Sequence, residues 1–142
     1  DSPRPFNARA ETVSEKSTFK AAWRHHRCLI PASCFFEKGY RIRPSNKETF
    51  WLAGIFDTWM ASDGSEIDSC SILTTAANSL VKPLHNRMPV VIPEGLEEEW
   101  IRDRNRAELR QLEPLLDGWK PFEWVAESLH KTKGDQQMSL FD

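Results

Sequence analysis

The chain has 142 residues, a formal net charge of −2 at neutral pH and 39% hydrophobic residues. This length fits one domain with a buried core, and the composition is typical of a globular protein. No apolar run approaches the ~20 residues that span a bilayer, and no signal-peptide pattern opens the sequence. We therefore expect a cytoplasmic protein that does not contact a membrane.

The cysteine set excludes two further classes of protein. Cys28, Cys34 and Cys70 are odd in number and include no CxxC pair. A disulfide framework and a zinc site are therefore not expected, and the sequence contains no sign of another metal or of a cofactor. The three residues are expected to be reduced thiols.

The net charge conceals an asymmetry along the chain. Residues 1–47 contain ten Lys and Arg against four acidic residues, whereas the remainder contains nine against seventeen. A basic amino-terminal third is compatible with a surface that faces phosphates. A solvated surface of mixed charge is the alternative reading.

The first predicted elements are a short helix and an apolar strand. The helix covers residues 18–27, with Phe19, Ala22 and Trp23 on one face, and the strand covers 28–36 with a kink at Pro31. The basic, turn-rich residues 39–46 are expected to form an exposed loop or hairpin.

The middle and end of the chain predict more strands and two short helices. Strands over 49–60 and 67–75 are joined by a turn at Asp63-Gly64, because Asp-Gly tolerates the positive φ of tight turns. The remaining elements are a helical turn at 76–80, a β segment at 87–92, a helix containing Leu96, Trp100 and Ile101, a helix at 107–116 interrupted by Pro114, and a strand at 122–126. The sum is an α+β fold, mainly an antiparallel β-sheet with flanking short helices. We expect the domain at residues 1–126 and a flexible polar tail at 127–142.

Three places along the chain bring together residues that suit chemistry. Asn7, Arg9 and Glu11 point the same way if the chain is extended, and an Arg–Glu pair on a surface strand is the alternative. Glu37 ends an apolar strand, where partial withdrawal from water would suit proton transfer; a solvated strand end is the alternative. His85 lies in a loop bracketed by two prolines that would hold its imidazole, although a lone histidine is more often structural.

Four sequence blocks, in this order and spacing, resemble the SOS-response-associated peptidase (SRAP) family. They are NARAET from Asn7, RCLIPASCFFE ending at Glu37, SILTTAAN, and LHNRMPVVI around His85. The resemblance implies a barrel-like SRAP fold and the carboxy-terminal two-thirds of that domain. It also implies a sensor of abasic sites in single-stranded DNA, with an associated autopeptidase activity.

The family resemblance implies a specific covalent chemistry. SRAP proteins carry a cysteine after the initiator methionine, and its α-amine and thiol capture the aldehyde of an abasic site as a thiazolidine. By this resemblance Asn7, Glu37 and His85 are the catalytic residues, and Arg9, Arg4 and Arg87 bind DNA.

Two features depart from the family pattern. The chain begins at Asp1 and contains no such amino-terminal cysteine, and an internal cysteine has no free α-amine. Lys38 follows Glu37 where the family usually has Trp, which changes the wall of the pocket.

The tail contains a separate motif. Gln137-Met138-Ser139-Leu140-Phe141 is similar to the peptide by which bacterial repair proteins bind the DNA sliding clamp, and a chance pentapeptide is the alternative.

Two other functions remain open from the sequence. One is a non-catalytic remnant that binds single-stranded DNA or the clamp. The other is a thiol hydrolase with Cys34 as nucleophile, His85 as base and Glu37 as orienting group, which is disfavoured because Cys34 and Glu37 would point to opposite faces of one strand.

Overall fold

The structure is a computed structural model that describes residues 7–129. In chain order its elements are β1 (Asn7–Arg9), α1 (Lys20–His25), β2 (Arg27–Ala32), β3 (Phe35–Glu37), β4 (Tyr40–Pro44), β5 (Phe50–Met60), β6 (Glu66–Ala76), β7 (Arg87–Pro89), β8 (Val91–Ile92), α2 (Glu97–Ile101), 3-10 helices at Glu108–Leu116 and Pro121–Glu123, and β9 (Trp124–Ser128). The expected α+β class is confirmed.

The first sheet contains six strands, in the order β1-β6-β5-β2, with β7 paired to β6 and β8 paired to β5. Every pairing in it is antiparallel except the parallel pairing of β1 with β6. The second sheet has the order β3-β4-β9 and is antiparallel throughout. In residues 7–129 these are open sheets, not a closed barrel.

The long hairpin of β5 and β6 forms as the sequence predicts. Gly64 has a φ of 89°, and the Ala61 amide donates to the Ser65 carbonyl to close the turn. The side chain of Asp63 accepts from both the amide and the hydroxyl of Ser65. The turn therefore fixes the register that continues along both strands.

Successive side chains along the strands of the first sheet lie on opposite faces, so neighbouring residues pack into two separate cores. Leu73 and Ala8 are buried in the cluster beneath α1, α2 and the first 3-10 helix. Ile72 packs against the other cluster, which contains Ile42 of β4 and Trp124 of β9. One face of the first sheet is thus covered by helices and the other by the second sheet.

The basic segment 39–46, expected to be an exposed loop or a hairpin, forms one arm of the β3–β4 hairpin and is partly buried. It forms β4, the central strand of the second sheet, in which Ile42 is fully buried and Arg41 and Arg43 both bond to Glu127 of β9. The alternation of apolar and basic residues was the missed signal. The last strand, β9, ends at Ser128, two residues after the Ala126 at which the sequence predicted it to end.

The predicted helices are present but short. α1 covers Lys20–His25 only, because Arg27 already begins β2. In α2, Trp100 is fully buried, but Leu96 and Ile101 are exposed rather than sharing its face. The helix at 107–116 is a 3-10 helix that contains Pro114, whose ring supplies no N–H.

A buried arginine joins α1, β2 and α2. Arg27 is 7% exposed, and its guanidinium donates to the carbonyl oxygens of Trp23, Arg24, Trp100 and Arg102. The Trp100 indole donates in turn to the carbonyl of Cys28. Part of the basic charge of the amino-terminal third is therefore structural.

No helix among residues 7–129 has the length and hydrophobicity needed to cross a membrane.

Candidate nucleic-acid interface and active site

Strand β1 presents two of the predicted site residues on one face. Asn7 pairs with Ile72 and Arg9 pairs with Thr74 in a parallel register, so both side chains lie on the face of the first sheet that the second sheet covers. Both residues are exposed, while Ala8 between them is buried in the opposite core. The expectation that Asn7 and Arg9 point the same way holds.

Glu11 departs from that expectation because the chain turns after Arg9. Its carboxylate makes a bidentate ion pair with Arg87, with N–O distances of 2.6 and 2.7 Å. These hydrogen bonds lower the pKa of Glu11 from 4.5 to about 2. The Arg–Glu pair that the sequence suggested therefore exists, but its arginine is 76 residues away.

Arg87 also bonds to the end of β6. Its Nη2 atom donates to the carbonyl oxygen of Thr74 at 2.8 Å and lies 3.2 Å from the Thr74 hydroxyl. Arg87 thereby fastens the turn after β1 to β6 and β7. This use of its donors competes with the phosphate contact expected from the sequence.

His85 is oriented by the backbone of the same arginine. Nδ1 of His85 lies 3.0 Å from the amide nitrogen of Arg87 and 3.3 Å from its carbonyl oxygen; the shorter contact is the one in which the amide donates to Nδ1. The ring is exposed. The turn before it is fixed by the Asn78 side chain, which accepts from the amides of Leu80 and Val81 and donates to the Trp119 carbonyl.

Glu37 stands at the end of β3, directly before a tight turn. It is half-buried, and Lys38 and Gly39 both have positive φ, at 45° and 79°. Along β3, Glu37 shares a face with Phe35, which packs in the core between the sheets. No hydrogen bond or ion pair joins Glu37 to Asn7 or His85 within residues 7–129.

The three residues therefore belong to the same side of the first sheet. The loop before His85 packs through Leu80, Val81 and Leu84 into the core that also contains Phe35. Asn7 lies on the sheet face turned toward that core. What the structure links directly is β1 with the His85 loop, through Glu11, Arg87 and Thr74. No local pattern in the sequence indicated the role of Thr74.

No histidine or carboxylate is hydrogen-bonded to any of the three cysteines in the described chain. All three are free; Cys28 and Cys34 are half-buried and Cys70 is exposed. Burial and the neighbouring Cys70 thiol raise the pKa of Cys28 to about 12, so it is a neutral thiol at pH 7. No bond joins Cys34 to His85 in the described chain, and the Nδ1 atom of His85 already accepts from Arg87.

Some of the predicted site residues lie outside the part of the chain that the structure describes. Arg4 and the tail residues Gln137, Met138, Leu140 and Phe141 lie outside the described residues. Between Asn7 and Leu129, no three His, Cys, Asp or Glu side chains are grouped to hold a metal ion.

The chain is similar in sequence to several proteins that share one descriptive name. The chain is 36% identical over 109 residues to abasic site processing protein YoqW of Bacillus subtilis, covering 70% of this chain and 49% of that protein. It is 30% identical over 110 residues to abasic site processing protein YedK of Escherichia coli, covering 72% and 49%. The chain thus spans about half the length of these curated relatives.

A solved structure supports the same grouping. The crystal structure of a protein from Bacteroides thetaiotaomicron matches with a TM-score of 0.79 and 30% identity, covering 96% of this chain and 62% of that one. The sequence profile described as SOS response associated peptidase (SRAP) matches residues 1–132. The chain belongs to the SRAP family.

Proposed function

We propose that this chain supplies the acid–base and DNA-binding portion of a protein that captures abasic sites in single-stranded DNA. The relatives YoqW and YedK are both named abasic site processing proteins. A cytoplasmic location, with access to DNA, is part of the proposal.

The observation that carries it is the linked arrangement at β1 and β7. Asn7 and Arg9 are exposed side by side, and Arg87 holds both Glu11 and the imidazole of His85 in place. Arg9 makes no hydrogen bond or ion pair in the described chain and is free to bind a phosphate. An amide, a guanidinium and an oriented imidazole are a set suited to a phosphodiester next to a reacting aldehyde.

The proposed capture proceeds in two steps. A free α-amine adds to the C1′ aldehyde of the abasic sugar, and loss of water gives an imine. A thiolate on the same residue then adds to the imine carbon, the nitrogen gains a proton, and a thiazolidine ring closes. Asn7 orients the amine or a sugar oxygen, and Glu37 and His85 transfer the protons.

The nucleophile in this proposal is not an internal cysteine. Cys28, Cys34 and Cys70 have no free α-amine, and the thiol of Cys28 is held neutral. The amino-terminal cysteine would come from the part of the relatives' length that this chain does not span. The autopeptidase step, removal of a leading methionine, would use the same Glu37 and His85.

The test is covalent trapping by the full-length gene product. An oligonucleotide with one abasic site should give a complex that survives denaturing electrophoresis. Removing general acid–base catalysis costs on the order of 10²-fold in rate, so Glu37→Gln and His85→Ala should each slow complex formation about that much. Glu66→Gln, an exposed carboxylate on β6, is the matched control and should react at the normal rate.

Two results would overturn the proposal. One is the absence of any stable complex with abasic DNA, and the other is an unchanged rate in Glu37→Gln. The DNA upstream of the Asp1 codon separates the leading proposal from its alternative. A start with Met-Cys in frame supports capture, whereas a start without the cysteine supports a remnant that only binds DNA or the clamp.

We propose a second contact, through the tail, on the sequence motif alone. Gln137 offers hydrogen bonds, and Met138, Leu140 and Phe141 offer apolar groups to a pocket on a bacterial sliding clamp. A peptide of residues 132–142 should bind the clamp, and Leu140→Ala with Phe141→Ala should abolish binding. Undetectable binding of the unaltered peptide at high micromolar concentration would exclude this contact.

A further inference from the structure

The arginines of the described chain divide into two groups by their partners. Arg27 bonds to backbone carbonyls, Arg41 and Arg43 to Glu127, Arg87 to Glu11, and Arg102 and Arg104 to Glu99. Four have no hydrogen bond or ion pair from their side chains within residues 7–129, namely Arg9, Arg24, Arg106 and Arg110. Three of these four lie around one cleft, and Arg9 lies next to it along β1.

The cleft is on the helical side of the first sheet. It has a volume of about 940 Å³ and lies between the turn after β1, helix α1 and the first 3-10 helix. Arg106 and Arg110 project into it from the 3-10 helix and the residues before it, and Lys20 and Arg24 from α1. Val13 and Trp23 in its lining are buried, at 1% and 5% exposed, and the open lining is divided almost equally between polar and apolar surface.

The charge balance in the cleft favours an anion. Three acidic residues line it, but the carboxylate of Glu11 already pairs with Arg87. Glu15 and Glu113 remain against four cationic side chains. The Nε atom of Arg24 is buried without a hydrogen-bond partner in the described chain, so this nitrogen lacks an acceptor from the protein.

The cleft also continues from the proposed DNA site. Ala10 and Glu11, which line its edge, directly follow Arg9 on β1. A strand of nucleic acid held at Arg9 therefore meets, at the edge of the sheet, a cleft lined by cations that have no ion-pair partner in the described chain. A positively charged groove is how proteins bind a single strand without reading its sequence.

We propose that this cleft binds the phosphate backbone of the single-stranded DNA that flanks the captured nucleotide. The inference rests on the proposed function, and it adds a second binding surface on the face of the sheet opposite Asn7 and Arg9. Lys20, Arg24, Arg106 and Arg110 are the phosphate contacts. An acidic protein segment is the competing occupant that the experiment excludes.

The experiment measures binding of unmodified single-stranded DNA to the full chain by fluorescence anisotropy across a range of salt. The oligonucleotide should be about 20 nucleotides long, to exceed the site sizes of roughly 4–16 found for single-strand binding domains. The variant is Arg106→Glu with Arg110→Glu. Its matched control is Lys47→Glu with Lys120→Glu, which makes the same change in net charge at exposed residues outside the cleft.

Loss of two phosphate contacts should lower the slope of log affinity against log salt by about 1.4, at roughly 0.7 per contact for single strands. The cleft variant should show this change and at least a tenfold loss of affinity at low salt, while the control keeps the slope of the unaltered chain. Both should melt at the same temperature as the unaltered chain, because the four substituted side chains are exposed.

Each contrary outcome has a distinct meaning. If the cleft variant and the control have equal slopes while the gene product still traps abasic DNA, the cleft proposal is wrong and the proposed function stands. If the cleft variant changes only the oligomeric state in sedimentation, the cleft binds protein and the proposal is again wrong. If the unaltered chain binds no single-stranded DNA at low salt, this inference and the DNA-binding part of the proposed function both fail.

Discussion

The region around Arg27 and the region around β1 each contain an arginine, but one arginine is buried and bonded to the backbone and the other is exposed. Arg27 is buried, and its donors reach four backbone carbonyls of α1, α2 and adjoining residues. Arg9 is exposed and has no hydrogen-bonding partner in the described chain. The comparison shows that a count of basic residues does not locate a binding surface. The partners of each guanidinium separate a structural arginine from one available to a ligand.

The largest expected effect on stability comes from Arg27. In Arg27→Leu the carbonyls of Trp23, Trp100 and Arg102 lose their buried donor, and breaking such a network costs about 3 kcal/mol or more in free energy of unfolding. Urea denaturation measures the change. Arg110→Leu, on the exposed side of the comparison, should change stability by less than about 0.5 kcal/mol. Equal effects of the two substitutions would remove the distinction between the regions.

The Glu11–Arg87 pair should have an intermediate effect, because Arg87 is mostly buried but the Glu11 side chain is 49% exposed. Glu11→Gln should cost about 1 kcal/mol at pH 7, discounted for solvent screening. Since the folded pKa of Glu11 is about 2, against an ordinary 4.5, this stabilisation is complete above pH 4.5 and is lost as the pH falls toward 2.

The unaltered chain and Glu11→Gln should therefore differ at neutral pH and converge in acid. Thermal melting at a series of pH values measures this. Glu94→Gln, which removes an exposed carboxylate with no bonding partner in the described chain, is the control and should be nearly neutral. A constant difference between the unaltered chain and Glu11→Gln at every pH would contradict the pairing.

A smaller change of opposite sign is expected at the turn after Glu37. Lys38 has a φ of 45°, in the left-handed region that Asn tolerates better than Lys. Lys38→Asn should raise the free energy of unfolding by about 0.5 kcal/mol. Lys47→Asn in the exposed loop after β4 is the control and should have no such effect. A loss of stability in Lys38→Asn would indicate that the lysine side chain makes a contact that outweighs the backbone strain.

The smallest effect on stability should come from Arg9. Arg9→Gln removes no bond within residues 7–129, so the free energy of unfolding should change by less than about 0.5 kcal/mol. In single-stranded DNA binding, the salt slope should fall by about 0.7 for one lost phosphate contact. An unchanged slope would contradict the placement of DNA at β1.

Much of the local structure could be predicted from the sequence. The Asp63-Gly64 turn follows from the positive φ that only a few residues accept, and the strands on either side follow from their apolar patterning. The burial of Phe19, Ala22 and Trp23 follows from helical spacing. The sequence predicts an exposed loop or a hairpin at 39–46; the segment is one arm of a hairpin, and its Arg41 and Arg43 are matched by Glu127 from β9.

The candidate site was predictable only in its parts. Asn7, Arg9, Glu37 and His85 were identified by motif and resemblance. Their surroundings depend on contacts between distant segments, which no local pattern encodes. The partner of Glu11 is such a case, because β6 must first bring β1 and β7 onto neighbouring positions.

The α+β class, most of the strands and the SRAP family could be read from the sequence, since these depend on local periodicity and on motifs in a fixed order. Which charges are available to a ligand depends on the folded arrangement. Arg27 and Arg24 are three residues apart, yet one is enclosed by carbonyl oxygens and the other borders an open cleft. This is because a guanidinium is satisfied by whichever acceptors the fold brings within about 3 Å, and most of those acceptors come from distant parts of the chain.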